Sequence, residues 1–323
     1  MRLSLSKFLQ LKFNVFIYQN FGMRFTLFYI MLLGKLYFFV NRKEKYKIEG
    51  AVETVFAGLK SRSETNFIKK NVLQGIFCHY YEKIFNAYEN IGGLKNFFEA
   101  SIEAPFLIKL DSALKNGRGV LFVTGHYGGI EYIPIFLAFK KYPISVIARF
   151  KTRELKYTLY LKTKDLGLKI IDAEEKNGTL QSIIQDLNKN RIVFIECDEI
   201  EAWKPSQKEV MFFLQKIIRV DRTINLIHRK TGAEVIFGIL HRFNLRKYSL
   251  VIENCQDLLS RYRKISSVGE AVLKCLEQFI YSSPEEWYQW KHYTDIEAFP
   301  AIGIELKKQI FIPLFKPALG EVL

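Results

Sequence analysis

The chain has 323 residues, of which 49% are hydrophobic and 25% are charged. This composition excludes an intrinsically disordered chain and gives enough residues for one large core. The net charge of +15 suits an anionic partner, which is a nucleic acid, an anionic lipid surface or an acidic protein. The four cysteines are widely scattered and no Cys/His cluster has zinc-ligand spacing, so the sequence predicts neither a disulfide framework nor a metal site.

The first 48 residues are basic and apolar. No acidic residue precedes Glu44, and residues 25–40 are almost wholly apolar but are interrupted by Lys35. This run falls short of the roughly 20 residues of a clean membrane span, and no small-residue cleavage site of a signal peptide follows it. Four cations come directly after it, as Arg42, Lys43, Lys45 and Lys47. We expect this segment to associate with a membrane, by spanning it or by lying in its interface, with the cations on the cytoplasmic side; the alternative is a buried helix whose lysines reach solvent.

The rest of the chain divides into a helical layer and an alternating region. Apolar residues recur at spacings of three and four between about residues 51 and 102, which predicts helices, and this layer ends at about residue 110. Short apolar runs typical of buried strands follow at 119–125, 144–150, 168–173, 192–197, 234–241 and 248–255. Helical patterns occupy 130–141, 180–187, 219–231 and 268–281. The alternation predicts an α/β fold, a mixed sheet flanked by helices, with a domain at 49–292 and an irregular C-terminal extension at 293–323.

One glycine-rich stretch has the properties of a catalytic site. His126 directly follows the first predicted strand, at the carboxyl end where open α/β sheets bind their ligands, and Gly125, Gly128 and Gly129 surround it. Glu131 falls in the first turn of the next helix. A carboxylate bonded to one ring nitrogen makes the other nitrogen a stronger base, so the sequence predicts His126 and Glu131 as a general-base pair.

This stretch resembles the His-x4-Asp/Glu block of the lysophospholipid acyltransferase superfamily. It is closest to the bacterial lipid A biosynthesis (lauroyl/myristoyl) acyltransferases. Their usual motif is a strand that ends in glycine, followed by His-x-Gly-Asn-Trp-Glu. The chain keeps His126, Gly128 and Glu131 and has Gly129 and Ile130 in place of Asn and Trp.

Two later blocks extend the resemblance over most of the chain, as far as His292. Phe-Leu-Gln-Lys at 213–216, with Arg219 and Thr-Gly-Ala at 231–233, is similar to the family's Phe-Phe-Gly-Arg/Lys and helix-ending Thr-Gly-Ala, with Gln215 replacing the glycine. Pro-Glu-Glu-Trp-Tyr-Gln-Trp at 284–290 is similar to the family's Pro-Glu-Gln-x-x-Trp with one extra residue. We expect its two tryptophans to pack into the core.

The resemblance also implies substrate-binding positions. Arg149 matches a strand-end arginine that would hold a phosphate or the developing oxyanion, and the alternative is a surface arginine paired with a carboxylate. Lys164 occupies a position, shortly before Gly167, near which the family tends to carry an arginine. Asp198 resembles a family acidic position that orients a hydroxyl, unless it only balances nearby lysines. Lys216 and Arg219, together with Gly128 and Gly129, complete the predicted set.

What the resemblance implies is an O-acyltransferase at the cytoplasmic face of the inner membrane. It would move a fatty acyl chain from an acyl thioester to a hydroxyl of a membrane glycolipid resembling a lipid A precursor. The donor would be acyl carrier protein or coenzyme A, with no bound cofactor. Backbone N–H groups of Gly128 and Gly129, with Arg149 or Lys164, would stabilise the oxyanion.

Other functions stay open at this stage. The acceptor is alternatively a lysophospholipid or another glycolipid, and the chain is alternatively an inactive membrane-bound relative. A hydrolase lacks support, because the sequence has no Gly-x-Ser-x-Gly nucleophile elbow. Nucleic-acid binding is not predicted, because the basic residues are spread out and form no recognition motif.

Overall fold

The computed structural model describes residues 12–148, 157, 160–173, 178–261 and 265–298. Arg149 and residues 299–323 of the predicted C-terminal extension lie outside these ranges.

The N-terminal part of the described chain is helical, as predicted. Its helices are α1 (Lys12–Val40), α2 (Arg42–Phe56), α3 (Arg62–Tyr88), α4 (Ile91–Ser101) and α5 (Leu107–Lys115). The start of α3 is set by a capping box, in which the Ser61 hydroxyl and the Glu64 carboxylate each accept a hydrogen bond from the other's backbone N–H. Helix α1 is broken at Gly22, whose backbone is not helical (φ 74°, ψ 178°). Within the described ranges, no helix has both the length and the apolar character needed to cross a bilayer.

A seven-stranded sheet forms the centre of the protein. Its strands are β1 (Ile102–Glu103), β2 (Val120–Thr124), β3 (Ile144–Ala148), β4 (Lys169–Asp172), β5 (Ile192–Glu196), β8 (Glu234–Asn244) and β9 (Lys247–Asn254), in the spatial order β1-β9-β8-β2-β5-β3-β4. Every neighbouring pair is parallel except β8 and β9, so the sheet is mixed and mainly parallel. Strand β2 is buried along its whole length, which explains its uninterrupted apolar sequence.

Helices cover this sheet, as the alternating pattern predicts. They are α6 (Ile133–Phe139), α7 (Thr179–Asn188), α8 (Arg222–Thr231), α9 (Cys255–Arg261) and α10 (Val268–Ser282). The predicted helix at 130–141 begins as a 3-10 turn (Ile130–Tyr132) before α6. Cys255, predicted at the end of a strand, is instead the first residue of α9. The prediction of an α/β fold with a mixed sheet between helices is confirmed.

A separate antiparallel hairpin was not predicted. It consists of β6 (Pro205–Phe213) and β7 (Lys216–Asp221), so the helix predicted at 219–231 begins only at Arg222. Its two-residue turn places Leu214 at φ 47° and Gln215 at φ 68°. Hairpin turns of this kind need positive φ at both positions and favour glycine there. Gln215 therefore takes the place of the family's glycine in a turn, and the Leu214 N–H is held by the buried Glu277 carboxylate at 2.6 Å.

The residues after α10 join the helical layer to the sheet. Trp287 and Trp290 are completely buried, as expected, and their rings pack edge to face. The turn Pro284–Glu286 packs against α3 at Gly75, where an added Cβ would lie 1.8 Å from the Glu285 carbonyl oxygen. A glycine at position 75 is therefore a requirement of this close approach.

This contact predicts opposite effects of two alanine substitutions in helices. Gly75→Ala should lower the free energy of unfolding by about 1–3 kcal/mol, because the backbone at Glu285 must move. Gly50→Ala in α2 should raise it by up to about 1 kcal/mol, since nothing lies within 4 Å of the added Cβ and alanine is the better helix former. Denaturant unfolding of both variants checks this, and equal effects would contradict the packing of α3 on the turn.

Candidate active site

Two strand ends bring the candidate site together. Strands β2 and β5 pair in parallel with Thr124 opposite Glu196, and the Cys197 N–H continues the pairing to the Thr124 carbonyl at 2.7 Å. His126 and Asp198 each stand two residues beyond that last pair. They therefore project from the same edge of the sheet, at the carboxyl ends of its central strands.

Asp198 holds the imidazole of His126 in one orientation. Its Oδ1 lies 2.9 Å from Nδ1 of His126, and both carboxylate oxygens accept from the His126 backbone N–H at 3.0 Å. The indole Nε1–H of Trp287 donates to Oδ2 of Asp198 at 2.7 Å. Asp198 is 1% exposed, so these bonds satisfy a carboxylate that is shut away from water. The ring is thus fixed with its Nδ1–H donating to Asp198 and its Nε2 pointing away from that carboxylate.

Two further carboxylates face the free nitrogen of the ring. Nε2 of His126 lies 3.4 Å from Oε2 of Glu196, at the end of β5, and 3.5 Å from Oε2 of Glu199, just before the 3-10 turn Ile200–Ala202. These three ligand atoms lie within 4.8 Å of one another, the spacing of a group that can hold a metal ion. Burial alone lowers the pKa of His126. The charges of Glu196, Asp198 and Glu199 outweigh burial and raise the pKa to about 10.

Glu131 does not touch His126 in this structure. The 3-10 turn after Gly129 directs its carboxylate toward α3, where Oε1 lies 3.0 Å from Nζ of Lys83, and the charge of Glu131 raises the pKa of that lysine. The Asn86 side chain donates to the Glu131 backbone carbonyl at 2.9 Å. The place expected for Glu131, beside the ring nitrogen, is taken by Asp198. A catalytic part for Glu131 stays a prediction.

The ring of Tyr288 contacts two histidines of the site. Its centroid lies 3.5 Å from that of His79, on which it stacks, and 5.4 Å from that of His126, which it meets edge to face. Burial lowers the pKa of His79 well below its ordinary value, so that ring is neutral. Nε2 of His79 lies 3.9 Å from Oε1 of Glu131. Glu131 is therefore connected to His126 only indirectly, through His79 and Tyr288.

The predicted glycines shape the loop. Gly128 adopts φ 55°, and an added Cβ would lie 2.1 Å from the Leu240 carbonyl oxygen. Its N–H donates to the Glu286 carbonyl at 2.9 Å, and the N–H of Gly129 donates to the Leu240 carbonyl at 2.8 Å. Both N–H groups are thus engaged in holding the loop, and their use in oxyanion stabilisation stays a prediction.

The remaining predicted residues lie in different settings. Lys164 is exposed in the 3-10 turn Lys164–Leu166, and Arg219 is half-buried on β7. Nζ of Lys216 donates to the carbonyls of Tyr293 at 2.7 Å and Ile296 at 3.0 Å. These bonds hold the last described residues against β7. A part for any of them in substrate binding stays a prediction.

The sequence did not identify six side chains that the structure brings to this site: His79, Lys83, Glu196, Glu199, Trp287 and Tyr288. Only Trp287 and Tyr288 carried a signal, because they belong to the block at 284–290. No hydroxyl or thiol in the described part of the chain bonds to His126, and burial raises the pKa of the neighbouring Cys197 thiol well above its ordinary value. The arrangement can therefore move a proton at Nε2, and it offers no side chain poised for covalent catalysis.

The mainly parallel α/β sheet thus presents a carboxylate-bonded histidine at its central strand ends. Residues 91–292 match the family model of bacterial lipid A biosynthesis acyltransferases, and the chain belongs to that family. The family implies acyltransferase activity. No curated protein matches the chain.

The charges around His126 predict an imidazolium at neutral pH in the substrate-free protein. In a metal-free buffer with a chelator, nitrogen NMR of the histidine-labelled protein should show His126 protonated at pH 7.5, with loss of the proton as the pH rises through about 10. Glu196→Gln removes a charge that raises this pKa and should shift the titration to lower pH, whereas Glu201→Gln, whose side chain is 67% exposed, should shift it far less. A neutral His126 in the wild type at pH 7.5 would contradict the described geometry.

Proposed function

We propose that the protein transfers a fatty acyl chain from an acyl thioester to a hydroxyl of a membrane glycolipid resembling a lipid A precursor. The observation that carries the proposal is the His126–Asp198 pair at the sheet edge, in a chain that belongs to this acyltransferase family. The same chemistry would serve a lysophospholipid or another glycolipid, since each presents a hydroxyl near an anionic group.

His126 acts as the general base in this proposal. Nε2 takes the proton of the acceptor hydroxyl as its oxygen attacks the thioester carbonyl carbon, and Asp198 stabilises the imidazolium that forms. The tetrahedral intermediate then collapses with cleavage of the C–S bond, and the imidazolium returns the proton to the leaving thiolate. The charges of Glu196 and Glu199 make the ring a stronger base, but they also keep it protonated at neutral pH. Acyl transfer should therefore speed up as the pH rises above neutrality.

Glu131 fits this scheme as a positioning residue. Its ion pair with Lys83 joins the loop after β2 to α3, beside the Tyr288 ring that contacts His126. Donation from Arg149 or Lys164 to the oxyanion, and contacts of Lys216 and Arg219 with the acceptor, remain part of the proposal. An acyl carrier protein is the favoured donor over coenzyme A, because it is acidic and the chain carries +15. No bound cofactor is needed.

Helices α1 to α3 support attachment to a membrane. Phe25, Phe28, Leu32, Leu36 and Phe39 lie on one face of α1 at helical spacing, and each is at least 44% exposed. A continuous exposed apolar stripe of this kind suits the interface of a bilayer.

A groove beside this stripe carries the matching charge. It has a volume of about 640 Å³ and lies between α1, α2 and α3. Its lining contains four cations and no acidic residue, namely Lys35, Arg42, Lys45 and Lys70. Cations next to an apolar face attract anionic headgroups. The stripe and the groove support our proposal that the protein acts at the cytoplasmic face of the inner membrane.

The acyltransferase proposal is tested by mass spectrometry of membrane lipids from cells with wild-type or variant protein. His126→Ala should remove one acyl chain from one lipid class, because the base is lost, and Asp198→Asn should lower the rate of purified protein by about 10²–10⁴-fold. Glu131→Gln should lower it less than Asp198→Asn. His228→Ala is the matched control, since within the described ranges that ring bonds only the Ala233 carbonyl, near the end of α8.

Circular dichroism would show that each variant is folded. An unchanged lipid profile in folded His126→Ala would contradict the enzyme proposal, and a larger loss in Glu131→Gln than in Asp198→Asn would contradict the assignment of the pair.

Vesicle flotation tests the membrane surface. Wild-type protein should float with vesicles containing anionic phospholipid and far less with zwitterionic vesicles, and high salt should weaken the binding. Phe28→Glu with Leu36→Glu should reduce the bound fraction about tenfold or more, because two exposed apolar side chains (66% and 53%) become charged. Leu180→Glu on α7 makes the same kind of change outside the stripe and should have no effect. Equal flotation of the double variant and the wild type would contradict this membrane surface.

A further inference from the structure

We propose that the catalytic histidine is also part of a binding site for a divalent transition-metal cation of the zinc class. The ligands are Nε2 of His126 and one carboxylate oxygen each of Glu196 and Glu199. The inference that this cation inhibits the protein rests on the proposed function; the site itself does not.

The two distances from the imidazole nitrogen fit a tetrahedral ion. Nε2 lies 3.4 Å from Oε2 of Glu196 and 3.5 Å from Oε2 of Glu199. Zinc binds imidazole nitrogen and carboxylate oxygen at about 2.0–2.2 Å, and two tetrahedral ligands at such bond lengths are about 3.4 Å apart. The ligand oxygens of the two carboxylates lie within 4.8 Å of each other, so the three groups can approach one cation and leave a fourth position for water.

The surroundings of the histidine are those of a metal ligand. A metal-binding imidazole usually donates its other N–H to a carboxylate, which fixes its orientation and raises its basicity. Asp198 does this at 2.9 Å, and the Trp287 indole holds Asp198 in turn.

The two carboxylate ligands are also held in place. Glu196 is the last residue of β5 and pairs with Thr124. Glu199 lies in a loop closed by the hydrogen bond from Trp203 Nε1 to the Cys197 carbonyl at 2.9 Å. The backbone at both ligands is therefore fixed before any ion binds, which lowers the cost of binding to the ordering of the two carboxylate side chains.

The charge of the site calls for a cation. Among the described residues, neither Glu196 nor Glu199 has a lysine or arginine within ion-pair distance. Asp198 adds a third carboxylate, so even a protonated His126 leaves the cluster with a net negative charge. The side chains of His126, Glu196 and Glu199 are 17%, 36% and 38% exposed, which leaves a path from solvent.

The donor set selects the kind of metal. Imidazole nitrogen suits zinc and other late first-row cations, whereas Mg²⁺ prefers six oxygen ligands in octahedral geometry. Binding displaces the proton from Nε2 to solvent, and the same nitrogen lone pair then bonds the cation. His126 cannot accept a hydroxyl proton while the cation is there, so the cation competes with acyl transfer.

Isothermal titration calorimetry of the tag-free, chelator-treated full chain tests the site, with ZnCl₂ and MgCl₂ as probes. Wild-type protein should bind one Zn²⁺ and no Mg²⁺ in the same concentration range. Glu199→Gln and Glu196→Gln should weaken Zn²⁺ binding about tenfold or more, because each loses a charged ligand. Glu201→Gln, two residues from Glu199 and outside the ligand set, should bind as the wild type does.

The outcomes separate this proposal from the acyltransferase proposal. The absence of Zn²⁺ binding by the wild type, or equal affinity in folded Glu199→Gln, overturns the metal site even if acyl transfer is observed. Zn²⁺ binding without acyl transfer under any condition supports the site and counts against the enzyme. If both occur, Zn²⁺ should inhibit the wild type at about tenfold lower concentration than it inhibits Glu199→Gln, and equal inhibition overturns the competition.

Discussion

The parallel register of β2 and β5 is the constraint on which the site depends. It sets Thr124 opposite Glu196, and from that pair the chain places His126, Asp198, Glu196 and Glu199 at one edge of the sheet. The loops beyond the strands are then fixed by main-chain bonds to β8 and to the segment after α10, through the N–H groups of Gly128 and Gly129. A shift of one residue in this register would turn every side chain to the other face and separate the histidine from its carboxylate.

Electrostatics decides what this geometry can do. One imidazole lies among three carboxylates, and their charges outweigh the burial that would otherwise keep the ring neutral. The same charges strengthen the base, stabilise the imidazolium formed in proton transfer and create affinity for a cation. Under the two proposals, acyl transfer and metal binding are therefore two uses of one nitrogen lone pair. The proton, the acceptor hydroxyl and a metal ion exclude one another there.

The sequence predicted the sheet well because buried parallel strands are continuous apolar runs, and all six runs are strands. The β6–β7 hairpin was not predicted, because its first strand, Pro205–Phe213, is half polar and has no continuous apolar run. His126 was found from its glycines and its place after a strand, and Asp198 was singled out by the resemblance, but the bond between them was not predicted. Asp198 lies 72 positions away, and local patterns do not reveal that β5 is inserted between β2 and β3. Glu131 was predicted as the partner from its spacing and the resemblance; in the structure its carboxylate pairs with Lys83, and its catalytic part stays a prediction.

The helical layer and the sheet meet at this site, since α3 supplies Lys83 and His79 while the loops after β2 and β5 supply His126 and Asp198. The central claim is that His126 and Asp198 act as one unit. A double-mutant cycle of His126→Ala, Asp198→Ala and both together, measured as the rate of acyl transfer by purified protein, tests it most directly. We expect the double variant to be no slower than His126→Ala alone, because Asp198 acts only through the imidazole that His126→Ala already removes. Losses that multiply in the double variant would contradict it.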